Sequence, residues 1–198
     1  MLYQMLYQIR EYFFDALVKS ATNYLNTFDS KSGRFLENGG WAVTLQDAVL
    51  AYAYLYTTEK EGNPFYKDEK IFNIILKGVQ ALRDFQYPDG QFEFIKTDGS
   101  KWGPIYMPWT FYHWLETYEI MKNYLPDNVR GDWETGLMPA FISFSQRDNN
   151  YLHNIPLWNS MSLHRAGIIF NNDNWKKHAD VLFQKAVEEQ HPDGYWEE

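Results

Sequence analysis

The sequence predicts an all-α protein built from antiparallel helical hairpins. Two observations lead to this prediction: apolar residues recur at helical spacing in seven stretches, and a helix-ending turn returns along the chain. The turn is clearest at 86–92, Gln-Tyr-Pro-Asp-Gly-Gln-Phe, and at 190–196, Gln-His-Pro-Asp-Gly-Tyr-Trp. Proline disfavours helix in the residue before it, and Asp-Gly favours a turn with positive φ at the glycine. The closing aromatic is expected to pack back onto the core.

Two weaker copies of this turn lie at 28–35 and 146–151. The aromatic residues that close the four copies are spaced roughly 45 to 60 residues apart, which accommodates two helices and their loops. Each copy of the turn is therefore predicted to mark one helical hairpin.

The predicted helices are of two kinds, which alternate along the chain. One kind is amphipathic and is expected in an outer layer, at about 1–26, 67–86, 133–146 and 174–190. The other kind is apolar almost all round and must be enclosed on most sides, at about 42–57, 107–124 and 155–170. The pattern predicts an inner and an outer layer of helices.

The loops alternate as well. Those after outer helices are long and aromatic, whereas those after inner helices are mostly plain polar connectors such as 171–174. In an array of antiparallel hairpins all loops of one kind lie at the same end. The aromatic loops are therefore predicted to form one functional face.

Composition narrows the class of protein. With 198 residues and 45% hydrophobic content, the chain is long enough for one domain with a sizeable core and is not expected to be disordered. It carries 8 Trp, 15 Tyr and 14 Phe. Such an aromatic content is typical of carbohydrate-binding proteins, in which rings stack on sugar C–H faces, and it fits a core of aromatic-rich helices equally well.

Several partners and cofactors are not expected. The net charge of −8 and the lack of a Lys/Arg block argue against nucleic acid, and no 18-residue apolar run predicts a membrane span. There is no cysteine, and the five histidines lack ligand-like spacing, so neither a metal nor another cofactor is predicted. The start of the chain has no basic region or cleavage site. The compartment stays open, and a periplasmic or extracellular location is compatible with a signal peptide that has been removed.

Alternating inner and outer helices with a Gln-x-x-Asp-Gly-x-aromatic turn resemble the (α/α) toroid enzymes. These include polysaccharide lyases of the alginate, chondroitin and heparin type, several glycosidase families and the terpene cyclases. The chain has no Asp-rich motif of the terpene cyclases. A closed toroid needs more hairpins than seven helices supply. The resemblance thus implies that residues 1–198 form a single helical-hairpin domain of a larger toroid, completed by a further domain or by self-association.

The resemblance to toroid lyases also implies a reaction, β-elimination on a uronic-acid polysaccharide. In those enzymes an Asn, sometimes with His or Arg, neutralises the uronate carboxylate, and Tyr or His moves the protons. The densest polar segment here is 153–165. On this chain the candidate catalytic residues are Asn154 or Asn159 for the carboxylate, His153 with Tyr106 or Tyr112 as base and acid, and Arg165.

Tryptophans mark the predicted substrate path. Each inner helix is expected to open with one, namely Trp41, Trp109 and Trp158. These rings could serve as sugar platforms at the mouth of a cavity, or they could seal the helix ends. Further candidates for substrate binding are Trp102, His113 and Arg147. A single histidine on an inner helix is also explained by a hydrogen-bonded group in the core.

Two other functions stay open. Glycoside hydrolysis needs a pair of carboxylates. Asp47 and Glu116 are the leading pair, since a buried acid on an apolar helix is costly unless it is hydrogen-bonded; Asp132 and Glu134 come behind them. A non-catalytic scaffold that binds glycan or protein is the third possibility. The Asn/His/Tyr concentration and the cations in the aromatic loops favour the lyase.

Overall fold

The computed structural model describes residues 2–146 and 154–194, and it confirms the all-α class with 65% helix. Two short 3-10 helices, Leu25–Thr27 and Thr44–Ala48, accompany the α-helices. The α-helices within the described residues are α1 (Leu2–Tyr24), α2 (Val49–Thr57), α3 (Glu69–Phe85), α4 (Pro108–Met121), α5 (Asp127–Phe144), α6 (Asn154–Ile169) and α7 (Asp173–Glu188).

The predicted inner layer is present. Helix α4 packs against α2 on one side and α6 on the other, while α3 covers α2 and α7 covers α6. The low amphipathicity of α4 follows from this position, because Phe111, Trp114 and Leu115 are fully buried among neighbours on several sides. Helix α5 also contacts α4 from the outer layer.

The predicted boundaries are wrong at two helices. The stretch predicted as one helix over 42–57 begins with the 3-10 helix, and α2 starts only at Val49. The buried side chain of Gln46 explains this, because it accepts the Phe35 N–H and donates to the carbonyls of Phe35 and Ala42. Helix α5 starts at Asp127, well before the predicted residue 133. The prediction missed its first turns because they are polar and lack an apolar pattern.

Two β-hairpins were not predicted. Strands β1 (Phe28–Asp29) and β2 (Arg34–Phe35) form one, and β3 (Phe92–Ile95) and β4 (Lys101–Ile105) form the other, both antiparallel. The alternation in Phe-Glu-Phe-Ile, followed by Asp98-Gly99, is a hairpin signal that was available in the sequence. The second hairpin lies between α3 and α4 in the chain.

The repeated turn behaves as predicted where the structure describes it. Gly90 has φ +89°, and a Cβ there would lie 2.7 Å from the Ala140 backbone nitrogen, so the turn packs directly on α5. Gly194 has φ +87°. The closing aromatics Phe92 and Phe35 are fully buried. Residues 147–151 of the second weaker copy and the last closing aromatic fall outside the described residues.

The described helices can also be tested against the membrane prediction. None of them combines the length and the apolar character that a membrane span needs.

Candidate functional site

A cleft of about 530 Å³ opens on the inner layer, where α1, the 3-10 helix, α2 and α4 meet. Its polar lining comes from the ends and faces of helices that are otherwise apolar. The lining residues are Leu17, Asp47, Leu50, Ala51, Tyr54, Tyr112, His113, Glu116 and Ile120. Four residues selected from the sequence, two acids, a tyrosine and a histidine, thus share one concavity.

His113 has a defined orientation in this cleft. Its Nδ1 lies 2.8 Å from the Trp109 carbonyl oxygen and 3.4 Å from Oδ2 of Asp47. Both of these atoms accept hydrogen bonds, so Nδ1 carries the hydrogen in the neutral ring and Nε2 keeps a lone pair. Among the described residues, no group hydrogen-bonds to Nε2. The half-buried imidazole is therefore arranged as a proton acceptor.

Asp47 is the partner that sets the electrostatics of His113. Its Oδ2 also accepts from Thr110 Oγ1 at 3.3 Å, while its buried Oδ1 has no hydrogen-bond partner among the described residues. Burial raises the pKa of the Asp47 carboxyl, and the bonds from His113 and Thr110 offset only part of this. Burial also lowers the pKa of His113, but Asp47 and the Trp109 carbonyl outweigh it and leave that pKa raised. The pair holds its protons more tightly than the isolated groups.

Glu116 is engaged differently. Arg165 on α6 donates to it through Nε and through Nη2, the latter at 3.0 Å from Oε2. This two-point geometry is the strong form of a guanidinium–carboxylate pair. This ion pair joins α4 to α6, and Glu116 balances the positive charge of Arg165 within the protein.

A second cleft, of about 520 Å³, lies between α4, α6 and α7. It is lined by Tyr112, Leu157, Ser160, Met161, His164, Arg165, Asp180 and Phe183. Tyr112 lines both clefts, so they meet at its ring. Beside it stands Trp158, whose ring centroid is 6.2 Å from that of Tyr112 and 6.3 Å from that of His113. The catalytic candidate Tyr112 and the platform candidate Trp158 are thus neighbours.

A smaller depression of about 310 Å³ lies where α4 and α6 begin. Ser162 in the middle of α6 donates to the Pro108 carbonyl at 2.8 Å, which ties the start of α4 to α6. The depression is lined by Gln91, Pro104, Ile105, Tyr106, Pro108, Trp109, Ile155 and Asn159. Tyr106 donates to the Asp89 carbonyl at 3.2 Å, and Asn159 is buried.

Three of the four tryptophans selected from the sequence line none of these three concavities, namely Trp41, Trp102 and Trp158. Trp41 does not open α2 but forms a β-bridge with Lys96 and stacks on Phe94. It precedes the 3-10 helix, because the segment around Gly39 and Gly40 pairs with the second hairpin. Trp102 stands on that hairpin with its side chain in solvent.

The remaining candidates have separate positions. Asn154 is exposed at the first residue of α6. His153 and Arg147 lie outside the described residues, so their roles stay predictions. Thr110 was not predicted, although a threonine one turn before His113 on an apolar helix was a usable signal. Within the part of the chain that the structure describes, no group of three or more His, Cys, Asp or Glu side chains could hold a metal ion.

Comparison with known proteins adds a relation of fold. No protein-family model and no curated protein matches the chain. Among solved structures, a Paenibacillus xanthan lyase matches with a TM-score of 0.57 and 14% sequence identity. The match covers 85% of this chain and 16% of that chain. The match shows that this chain resembles part of that enzyme in fold. The present chain spans only a small part of the length of that enzyme.

Proposed function

We propose that this protein is a polysaccharide lyase that cleaves a uronic-acid polymer by β-elimination. The observation that carries the proposal is the imidazole of His113, held at Nδ1 by Asp47 and the Trp109 carbonyl, with Nε2 unengaged among the described residues of the cleft. The likeness of fold to a xanthan lyase supports the same class of reaction. The proposal moves the base from His153 to His113.

The base in this proposal is neutral His113. Its Nε2 lone pair takes the proton from C5 of the uronate, and the ring becomes an imidazolium. The Asp47 carboxylate next to Nδ1 stabilises that positive charge and keeps the ring in the productive tautomer. Asp47 is thus a positioning residue, which acts on the reaction through His113.

Elimination also needs an acid and a group that stabilises the carboxylate. Tyr112 is proposed as the acid: as the C4–O bond breaks, its hydroxyl gives a proton to the leaving oxygen and the C4–C5 double bond forms. Asn159 is proposed to bind the uronate carboxylate from the depression. The amino-terminal ends of α4 and α6 meet there, and their dipoles favour negative charge.

The shape of the inner layer suits an extended substrate. The two clefts meet at Tyr112, and Trp158 offers a ring beside the proposed base and acid. A polymer lying across α2, α4 and α6 would therefore place sugar units on both sides of the cleaved bond. Further chain, or a second copy, is proposed to complete the toroid around this groove.

The test is the ultraviolet absorbance of the conjugated double bond that elimination leaves. We expect this absorbance to appear with alginate, chondroitin, heparin or xanthan, and His113→Ala to lower the rate at least about a hundredfold. His178→Ala is the matched control, because His178 lies on α7 and lines none of the three concavities. Absence of the absorbance with all four polymers, or equal rates for the two variants, would contradict the proposal.

One observation favours a second candidate, glycoside hydrolysis. Burial raises the pKa of Asp47, as a general acid requires, and Glu116 lines the same cleft. A hydrolase would release reducing ends without new absorbance, and Asp47→Asn or Glu116→Gln would stop that release. This result would replace the lyase with the hydrolase.

A further inference from the structure

The second hairpin and the segment that pairs with it carry a group of aromatic rings that the proposed reaction does not use. Trp41 stacks on Phe94 with centroids 3.7 Å apart and an interplanar angle of 10°. Trp102 stands nearly perpendicular to both rings, at 81° to Trp41 and 89° to Phe94. The stacked pair and the perpendicular Trp102 ring thus form an open corner, and Trp102 is 73% exposed.

This corner is held rigidly by backbone pairing. Ala42 N–H donates to the Ile95 carbonyl at 2.8 Å, and Thr97 N–H donates to the Gly40 carbonyl at 2.9 Å. Thr97 Oγ1 also donates to the Glu37 carbonyl at 2.8 Å. Little ordering is therefore left for a ligand to impose, which favours binding at an otherwise exposed site.

The charges around the rings point to an anionic ligand. The Lys96 ammonium lies 5.1 Å from the Trp41 centroid, and no carboxylate among the described residues lies within 4 Å of it. The hairpin's own acids accept hydrogen bonds from neighbouring residues, and Asp98 also attracts Lys96 at longer range. Glu93 accepts from the Tyr87 hydroxyl and lies 3.8 Å from Lys101, and Asp98 accepts from the backbone and hydroxyl of Ser100.

We propose that Trp41, Phe94, Trp102 and Lys96 form a binding site for one carboxylated sugar unit of a polysaccharide. The apolar face of the sugar stacks on the Trp102 ring, and the sugar carboxylate pairs with Lys96. We name these four residues the hairpin platform. Shortly after Trp41 the chain enters the 3-10 helix that carries Asp47, so we expect the platform to hold the polymer beside the first cleft. The choice of an acidic glycan rests on the proposed function.

Binding is tested without turnover, in the His113→Ala background. The variants are run on native gels that contain alginate, hyaluronan or xanthan, with hydroxyethylcellulose as the neutral polymer. Because the chain has a net charge of −8, unspecific attraction to acidic polymers is disfavoured, and retardation reports a specific site. We expect retardation by at least one acidic polymer. None by any of the three would overturn the platform.

Two substitutions locate the retardation. Trp102→Ala should weaken it about tenfold, which corresponds to ~1.4 kcal/mol, while Trp102→Phe retains most of it. Lys96→Gln should weaken it and remove its salt dependence. The control is Tyr12→Ala, because Tyr12 on α1 is 70% exposed and lies outside the platform. Circular dichroism verifies the fold of each variant.

The outcomes separate the platform from the lyase reaction. If retardation depends on Trp102 but the protein with His113 intact forms no double-bond product, the platform stands and the lyase reaction is wrong. Double-bond product with retardation that is unaffected by Trp102→Ala would keep the reaction and remove the platform. A change only in self-association, measured by sedimentation, would identify Trp102 as a protein contact and overturn the sugar site.

Discussion

Two carboxylates, Asp47 and Glu116, line the same cleft but have partners of different chemistry. Glu116 holds the guanidinium of Arg165, which never loses its proton in a protein. Asp47 faces the imidazole of His113, a type of side chain that can gain or lose a proton, and one of the Asp47 oxygens is buried without a partner among the described residues. One pair can change its charge during a reaction, and the other cannot.

His113 and Glu116 lie on neighbouring turns of α4, but only the first belongs to a pair suited to a reaction, while the second belongs to a pair that holds two helices together. The Glu116–Arg165 pair joins α4 to α6 at a fixed geometry. The Asp47–His113 pair joins the 3-10 helix to α4 but keeps a hydrogen-bonding position of the ring open to the cleft. The comparison predicts that changes at Asp47 alter turnover, whereas changes at Glu116 alter mainly stability.

The largest expected effect is that of Asp47→Asn. The amide keeps the volume of the carboxyl but cannot stabilise the imidazolium, and it can favour the wrong tautomer of His113. We expect the rate of double-bond formation to fall about a hundredfold or more, with the melting temperature little changed. Rate assays and thermal melts of the same preparations measure both. A large loss of stability with normal turnover would assign Asp47 to the architecture.

The pH dependence comes next. Because the pKa of His113 is raised, the neutral base is lost as the pH falls through a value above its usual 6.5. The rate should therefore rise with pH through that value, and Asp47→Asn should move the midpoint of the residual rate to lower pH. A profile with no ionisation in this range would exclude His113 as the base.

The ionisation of His113 also affects stability, and in the opposite direction: the rate rises with pH, whereas the free energy of unfolding falls. A histidine whose folded pKa is raised stabilises the protein below its unfolded pKa, and this contribution disappears as the pH rises through the folded value. The free energy of unfolding, measured with urea, should fall over that interval. In His113→Gln this part of the pH dependence should be missing.

Prediction from sequence succeeded where the signal is local. Helical periodicity located the inner layer, and the Asp-Gly turn gave the positive φ of Gly90. The placement of Trp41 failed because its segment pairs with the second hairpin at Lys96, a contact between distant parts of the chain. Such a contact leaves no periodic trace in the sequence.

For the candidate site too, local signals could be predicted from the sequence and contacts between elements could not. An acid on an apolar stretch marked Asp47 and Glu116 individually, because a buried charge needs a partner. Which partner each acid has depends on how α4 lies against the 3-10 helix and α6. The pairing of Asp47 with His113 and of Glu116 with Arg165 could therefore be read only from the fold.

A moderate effect is expected for Glu116→Gln. It leaves Arg165 without its counter-charge in a partly buried position, so we expect a loss of about 1–2 kcal/mol in the free energy of unfolding. The double variant Glu116→Gln/Arg165→Met should recover part of this loss, because it removes the unpaired charge as well. Urea unfolding measures both. Full additivity of the two single changes would mean that the pair is not coupled.

The smallest effect is expected for an ion pair of the same chemistry on the surface. Arg130 donates to Asp127 at 2.8 Å within the first turn of α5, and both side chains are well exposed. Water screens this pair, and two mobile side chains must be ordered to form it, so Arg130→Gln should shift the melting temperature by less than about 2 °C. Calorimetry of this variant beside Glu116→Gln compares the two carboxylate–arginine pairs directly. Equal shifts would show that the bridge between α4 and α6 contributes no more than a surface pair, and the architectural role assigned to Glu116 would then be wrong.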